Sequence, residues 1–174
     1  GIWRRALTGG RKAEMAELKE LLKEIAYEKI EGTLEREVSD IIYDSRKVKK
    51  DSLFVCIPGA VADGHRFAAS AVQAGASVLL VEKEVELPEG ADVTVVTVKD
   101  TRYAMAFLSA AFFGHPAERM KVIGITGTKG KTTTTYLVKS ILEQAGRKVG
   151  LIGTIEIIIG QEHIHADHTT PESY

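Results

Sequence analysis

The sequence predicts an α/β protein in which a small α/β domain is followed by the first part of a second α/β domain built on a glycine-rich loop. Three observations predict it. Short apolar, β-branched runs at 41–43, 53–57, 77–81 and 93–98 alternate with stretches of helical apolar spacing at 67–74 and 101–113, the pattern of strands interleaved with helices. A second block begins with the apolar run 122–125, enters a loop holding Gly127 and Gly130, and continues into a helical stretch at 131–145. Gly114, His115 and Pro116 interrupt the pattern between the blocks. The 174 residues suffice for one ordinary domain, or for a small one plus part of another.

Taken in order, residues 1–14 carry Arg4, Arg5, Arg11 and Lys12 around Gly9 and Gly10, with no apolar stretch of a signal peptide after them. They are expected to be a disordered leader or a cloning or gene-start remnant. A basic arm for RNA is the sharper and weaker alternative, given only four basic residues. Leu18, Leu21, Leu22 and Ile25 fall at helical spacing and predict an amphipathic helix within 15–31. Two strands follow at 41–43 and 53–57, joined by a turn containing Asp44, Ser45 and Arg46 and a charged cluster at 47–51, with Pro58 and Gly59 ending the second. Gly75 closes the helix at 67–74 as a C-terminal cap. Strands at 77–81 and 93–98 and a helix at 101–113 complete the first domain, expected over 15–117. In the second, 118–174, a strand at 121–126, the loop, a helix to Ala145 capped by Gly146 and a strand at 149–153 predict a β-loop-α-β unit, and 155–166 a hairpin about Gly160 and Gln161. Such a domain normally has several more strands, so this one is expected to be incomplete and marginal alone.

A hydrophobic fraction of 44% with 27% charged residues belongs to a soluble globular chain that can bury a core. A net charge of −1 argues against a general nucleic-acid or membrane surface, so an anionic ligand needs a local site. No run is long and apolar enough to span a bilayer. The single cysteine, Cys56, has no internal disulfide partner and sits in an apolar run, which predicts a buried inert thiol and fits a cytoplasmic location.

The strongest motif is Gly127-Thr128-Lys129-Gly130-Lys131-Thr132-Thr133. A strand, a glycine-rich turn and a helix opening with Gly-Lys-Thr cradle a polyphosphate, because the turn N–H groups and the positive helix end face the phosphates. Lys131 would contact the β- and γ-phosphates, Thr132 would ligate Mg²⁺ and Thr133 a neighbouring phosphate. Ile125 stands where the full pattern wants a glycine. Asp44-Ser45-Arg46 and Asp63-Gly64-His65-Arg66 are weaker: each reads first as a turn, with Asp63 a helix cap, and second as a phosphate or sugar contact. His163, His165 and His168 beside Asp167 read first as exposed strand histidines and only second as a metal cluster. Thr169 and Thr170 before Pro171 form a rigid loop with paired hydroxyls.

In sequence order these motifs, with Asp51-Ser52-Leu53-Phe54-Val55, Gly153-Thr154 and Thr169-Thr170-Pro171-Glu172, resemble the Mur ligases of peptidoglycan synthesis over residues 38–174. Glu172 after the Thr-Thr-Pro run points to the members that add the third residue of the peptide. Lys129 departs from the asparagine usual there. The resemblance implies an ATP- and Mg²⁺-dependent enzyme joining a diamino acid, L-lysine or meso-diaminopimelate, to UDP-MurNAc-L-Ala-D-Glu through an acyl phosphate. It implies a first domain that holds the UDP end through Ser45, Arg46, Asp63, Gly64 and His65. ATP would be held at Gly127, Thr128, Lys129, Gly130, Lys131, Thr132 and Thr133, with Lys131 catalytic and Thr132 on the metal, and the muramoyl-peptide part at Thr169 and Thr170. The family's later acidic and histidine metal ligands, its carbamylated lysine and its amino-acid-selecting domain have no counterpart in these residues, so the 174-residue polypeptide is expected to be inactive by itself. A non-catalytic UDP-sugar or nucleotide-binding module is the alternative. An unrelated phosphate-loop kinase or GTPase is disfavoured, since 149–153 offers no aspartate for Mg²⁺.

Overall fold

A computed structural model describes residues 15–59, 62–160 and 162–165. They fall into two compact units, one ending at Pro116 and the other beginning at Ala117.

The first unit is built on a five-stranded sheet. Its strands are β2 (Lys29–Glu31), β4 (Asp40–Ile42), β5 (Ser52–Val55), β6 (Ala76–Val81) and β7 (Thr94–Thr97); a separate short pair is made by β1 (Ala16–Glu17), before β2, and β3 (Glu37–Val38), between β2 and β4. The order is β2-β7-β6-β5-β4; β4 to β7 run parallel, and β2 lies antiparallel to β7 at one edge. A parallel sheet needs cover on both faces, which is why β5 and β6, apart from Ser52 and Ser77, read as apolar runs. Successive side chains alternate across the pleat. Leu53, Val55, Val78, Leu80 and Val96 meet one face, closed by α1 (Leu18–Leu21) and α3 (Thr101–Phe112). Phe54, Cys56, Leu79, Val81 and Val95 meet the other, closed in part by α2 (Ala68–Gln73) through Ala68 and Ala71. Gly75, at φ +109°, ends α2 against β5's approach: a Cβ there would lie 3.0 Å from Lys50 Cα.

The helix expected within 15–31 is shorter. Only α1 and the 3₁₀ turn Leu22–Glu24 are helical; Ile25 is extended, and the chain goes on to β2. Four apolar positions specify two turns, and past them the ladder to β7, with Ile30 packed on the core, wins over propensity.

The second unit holds α4 (Lys131–Gln144) and an antiparallel three-stranded sheet, β8 (Gly150–Ile152), β9 (Glu156–Ile159) and β10 (Glu162–His165), in the order β10-β9-β8. The hairpin is as expected. The strand expected at 121–126 is not formed, so there is no β-loop-α-β unit: the segment has no ladder partner among the described residues, and β8 pairs only with β9. Apolar composition does not make a strand without an edge to bond. Val122 and Ile123 stay exposed, as do Leu137 and Ile141 on α4.

Truncating Phe54, fully buried, to alanine should cost about 3–5 kcal/mol of the first unit's stability. Urea unfolding of the two proteins measures it, and an unchanged midpoint contradicts the packing. Cys56 is also fully buried, and burial first, then the charge of Asp63, pushes its thiol up to about 12. Iodoacetamide at about pH 8 should leave the folded chain unlabelled and label it once in concentrated urea.

Candidate functional site

In open α/β sheets ligands gather where the parallel strands end. Four connections leave those ends in the first unit. The one after β4 carries Asp44, Ser45 and Arg46, and the 3₁₀ turn Ser45–Lys47 is capped by the Asp44 carboxylate, which accepts from the Arg46 N–H at 3.1 Å. The same carboxylate takes both arms of the Arg46 side chain, Nε and Nη2, at 2.9 Å each. That bidentate bond, ahead of the backbone one, holds the Asp44 carboxyl below its usual range and raises Arg46. Arg46 itself projects into solvent.

After β5, Pro58 and Asp63 form an isolated antiparallel bridge, and the 3₁₀ turn Gly64–Phe67 follows. Asp63 caps it by accepting from the His65 N–H at 3.0 Å. Gly64 lies so close to the end of β5 that a Cβ would fall 2.6 Å from Ile57 N. His65 is buried and both its ring nitrogens are used. Nε2 accepts from the Glu82 N–H at 2.9 Å, which leaves the proton on Nδ1, donated to Asp63 at 2.6 Å. Lys83, just after β6, reaches the other Asp63 oxygen at 2.5 Å. Lys83 first and His65 second hold the Asp63 carboxyl far below the carboxylate range. Next to this, the Glu82 carboxylate accepts from the N–H and hydroxyl of Thr101 at 2.8 Å each, and Asp100 caps the Tyr103 N–H at 2.9 Å.

These contacts place the predicted residues at the ends of the adjacent strands β4 and β5 and give His65 an internal role. The capping role read for Asp63 is present, and its carboxylate fills the turn's anion position. Lys83, Glu82 and Thr101 carry no motif; their signal is position, Glu82 and Lys83 following β6 and Thr101 opening α3.

In the second unit the loop adopts the shape its glycines allow. Gly127 has φ +151° and Gly130 φ +75°, the latter in the left-handed region at the N-cap of α4. Gly130 brings no capping side chain, and the first turn of α4 holds no acidic residue. Lys131 folds back to donate to the Gly127 carbonyl at 2.6 Å. Thr134 and Thr135 bond back to the carbonyls of Gly130 and Thr132, whereas the Thr132 and Thr133 hydroxyls have no partner among the described residues. Thr128 and Lys129 are exposed. No group of three or more His, Cys, Asp or Glu among the described residues is arranged to hold a metal. A lone Thr132 hydroxyl suits Mg²⁺ that arrives on phosphate oxygens and keeps its waters, not a protein-held ion. Thr169 and Thr170, with Asp167 and His168, lie outside the described residues, as do residues 1–14. His163 donates from Nδ1 to Glu156 at 2.6 Å, and the Tyr136 hydroxyl donates to the other Glu156 oxygen.

Two family models match the chain in succession: "Mur ligase family, catalytic domain" over residues 37–113 and "Mur ligase middle domain" over 125–174. The chain belongs to the Mur ligase family. Among curated relatives, the UDP-N-acetylmuramoyl-L-alanyl-D-glutamate–2,6-diaminopimelate ligase of Clostridium perfringens is 48% identical over 157 residues, 90% of this chain and 32% of the relative. The ligase of the same name from Syntrophomonas wolfei is 45% identical over 156 residues, with the same two shares. The chain thus spans about a third of the length of the curated relatives it matches. Among solved structures, MurF from Acinetobacter baumannii is 29% identical with a TM-score of 0.57, over 83% of this chain and 30% of that one. A UDP-N-acetylmuramoyl-L-alanyl-D-glutamate–2,6-diaminopimelate ligase shares the fold at a TM-score of 0.65 and 20% identity, over 91% and 31%. No helix among the described residues is long and apolar enough to cross a membrane.

Asp63 has a folded-state pKa below its unfolded one, so its bonds add stability above about pH 4 that disappears as pH falls through the folded value. The stability gap between the native chain and Asp63→Asn should therefore be wide near neutrality and narrow in acid. Urea unfolding across the acid range measures it, and a constant gap contradicts the assigned bonds.

Proposed function

We propose that this chain forms the UDP-substrate domain and the ATP phosphate loop of a ligase that adds 2,6-diaminopimelate to UDP-MurNAc-L-Ala-D-Glu in the cytoplasm. The observation that carries the nucleotide half is the contrast between helix ends. The N-termini of α3 and of the turn Gly64–Phe67 are filled by Glu82, Asp100 and Asp63, while that of α4 has no carboxylate and has Lys131 beside it. A positive helix end without its own anion, next to a lysine and two glycines, suits a polyphosphate. The relatives' printed names support the substrate and favour diaminopimelate over lysine.

In this reading, the γ-phosphoryl group passes from ATP to the glutamyl carboxylate, releasing ADP. The diaminopimelate amine then attacks the acyl carbon and loses a proton as phosphate leaves with the former carboxylate oxygen. The chain's own contribution is electrostatic. Lys131 leaves the Gly127 carbonyl for the β- and γ-phosphate oxygens, and the N–H groups of residues 128–132 face the same oxygens, so that two anions approach at lower cost. Thr132 would touch a Mg²⁺ brought by the nucleotide, which supplies further charge neutralisation. Ser45 and Arg46 would meet the UDP end, Arg46 exchanging the Asp44 carboxylate for a phosphate, with Gly64 and the Asp63–His65 pair shaping the neighbouring turn and Thr169 and Thr170 on the muramoyl-peptide side.

The test is amide formation by the full-length enzyme, followed as ADP release that depends on all three substrates. Lys131→Ala should lower kcat about 100-fold or more, as loss of a charge-stabilising donor does, with Lys148→Ala as the exposed control. Equal rates in native and Lys131→Ala enzyme would exclude the loop as the ATP site.

A further inference from the structure

α4 carries the phosphate loop at its first residue, yet none of its side chains is buried, and Leu137 and Ile141 are exposed. Its apolar hold rests on half-buried positions such as Val138 and Leu142, with Leu151 of β8 and Ile158 of β9 buried in the same unit, and polar ties share in fixing its direction. Lys131 bonds to the loop, Thr134 and Thr135 bond to carbonyls of the helix and its cap, and Lys139 pairs with Glu143 one turn on. Among the described residues, the hydrogen bond that ties an α4 side chain to another element beyond the loop is the one from the Tyr136 hydroxyl to Glu156, at the start of β9. The carboxylate is steadied from the other side by His163 of β10, so that a helix and both strands of a hairpin meet on one group. Tyr136 lies five residues past Lys131, about 7.5 Å along the helix. A tie at that point controls the tilt of the end that presents Lys131 and the free N–H groups.

We propose that Glu156 is a positioning residue for the phosphate loop, holding α4 on the β9–β10 hairpin through Tyr136, with His163 orienting the carboxylate. This rests on the reading of residues 127–133 as the ATP site. Glu156 touches no substrate; it acts through the helix. The ionised carboxylate suits the task because it accepts from both neighbours at once, and the Tyr136 and His163 bonds, in that order, keep it ionised.

The experiment is steady-state kinetics of the full-length enzyme. Tyr136→Phe, which keeps the ring, and Glu156→Ala should each raise the KM for ATP about 10-fold, the scale of one bond to a charged group, and leave the KM for the UDP-linked substrate unchanged. Glu156→Gln, which retains an acceptor oxygen, should recover most of the loss. The Tyr136→Phe/Glu156→Ala double variant should be no worse than the poorer single one, because both remove the same tie. An unchanged KM for ATP in Tyr136→Phe, a parallel rise in both KM values, or effects that multiply in the double variant would each overturn the proposal. Lys131→Ala separates the two readings. If it weakens ATP use while Tyr136→Phe and Glu156→Ala do not, the tie alone is wrong. If it too leaves ATP use unchanged, the loop reading fails and the tie falls with it.

Discussion

The N–H groups that begin a helix have no partner inside it, and something negative or polar must meet them. In this chain that requirement is met in two ways, and the division of labour follows from them. In the first unit the chain supplies the anions itself: Asp63 for the turn after β5, and Glu82 and Asp100 for α3. Those bonds fasten the ends of neighbouring strands to one another. In the second unit the left-handed Gly130 supplies none, and the helix end stays open. The same physical demand is thus met from within the chain in one place and left open in the other.

Much of the first unit was legible. Unbroken apolar runs such as 78–81 named the buried parallel strands, since both faces of that sheet are covered, and Asp63 and Gly75 announced the ends of their helical segments. The misjudged stretch, 15–31, had helical spacing over two turns only, and nothing local marked the point where pairing with β7 takes over. The segment 121–126 failed for the converse reason. Its composition is that of a strand, but a strand is a relation between two segments, and no partner edge lies among the described residues.

Of the candidate site, the shape of the loop was legible, because Gly127 and Gly130 take the positive φ that glycine allows. The partners that fix the other candidate residues were not. Lys83 and Glu82 are ordinary charged residues in sequence, and they acquire meaning because β6 ends beside β5, bringing them to Asp63 and His65 across a gap of nearly twenty positions. Likewise Tyr136 and Glu156 carry no motif; the fold makes them neighbours.

The main sheet has a consequence for the order of events during synthesis. All five of its strands, and the helices that cover them, come from one uninterrupted stretch between Leu18 and Phe112. Among the described residues, no strand of that sheet comes from a later segment. The core of this unit can therefore begin to close as soon as that stretch has left the ribosome, while translation of the glycine-rich loop is still under way.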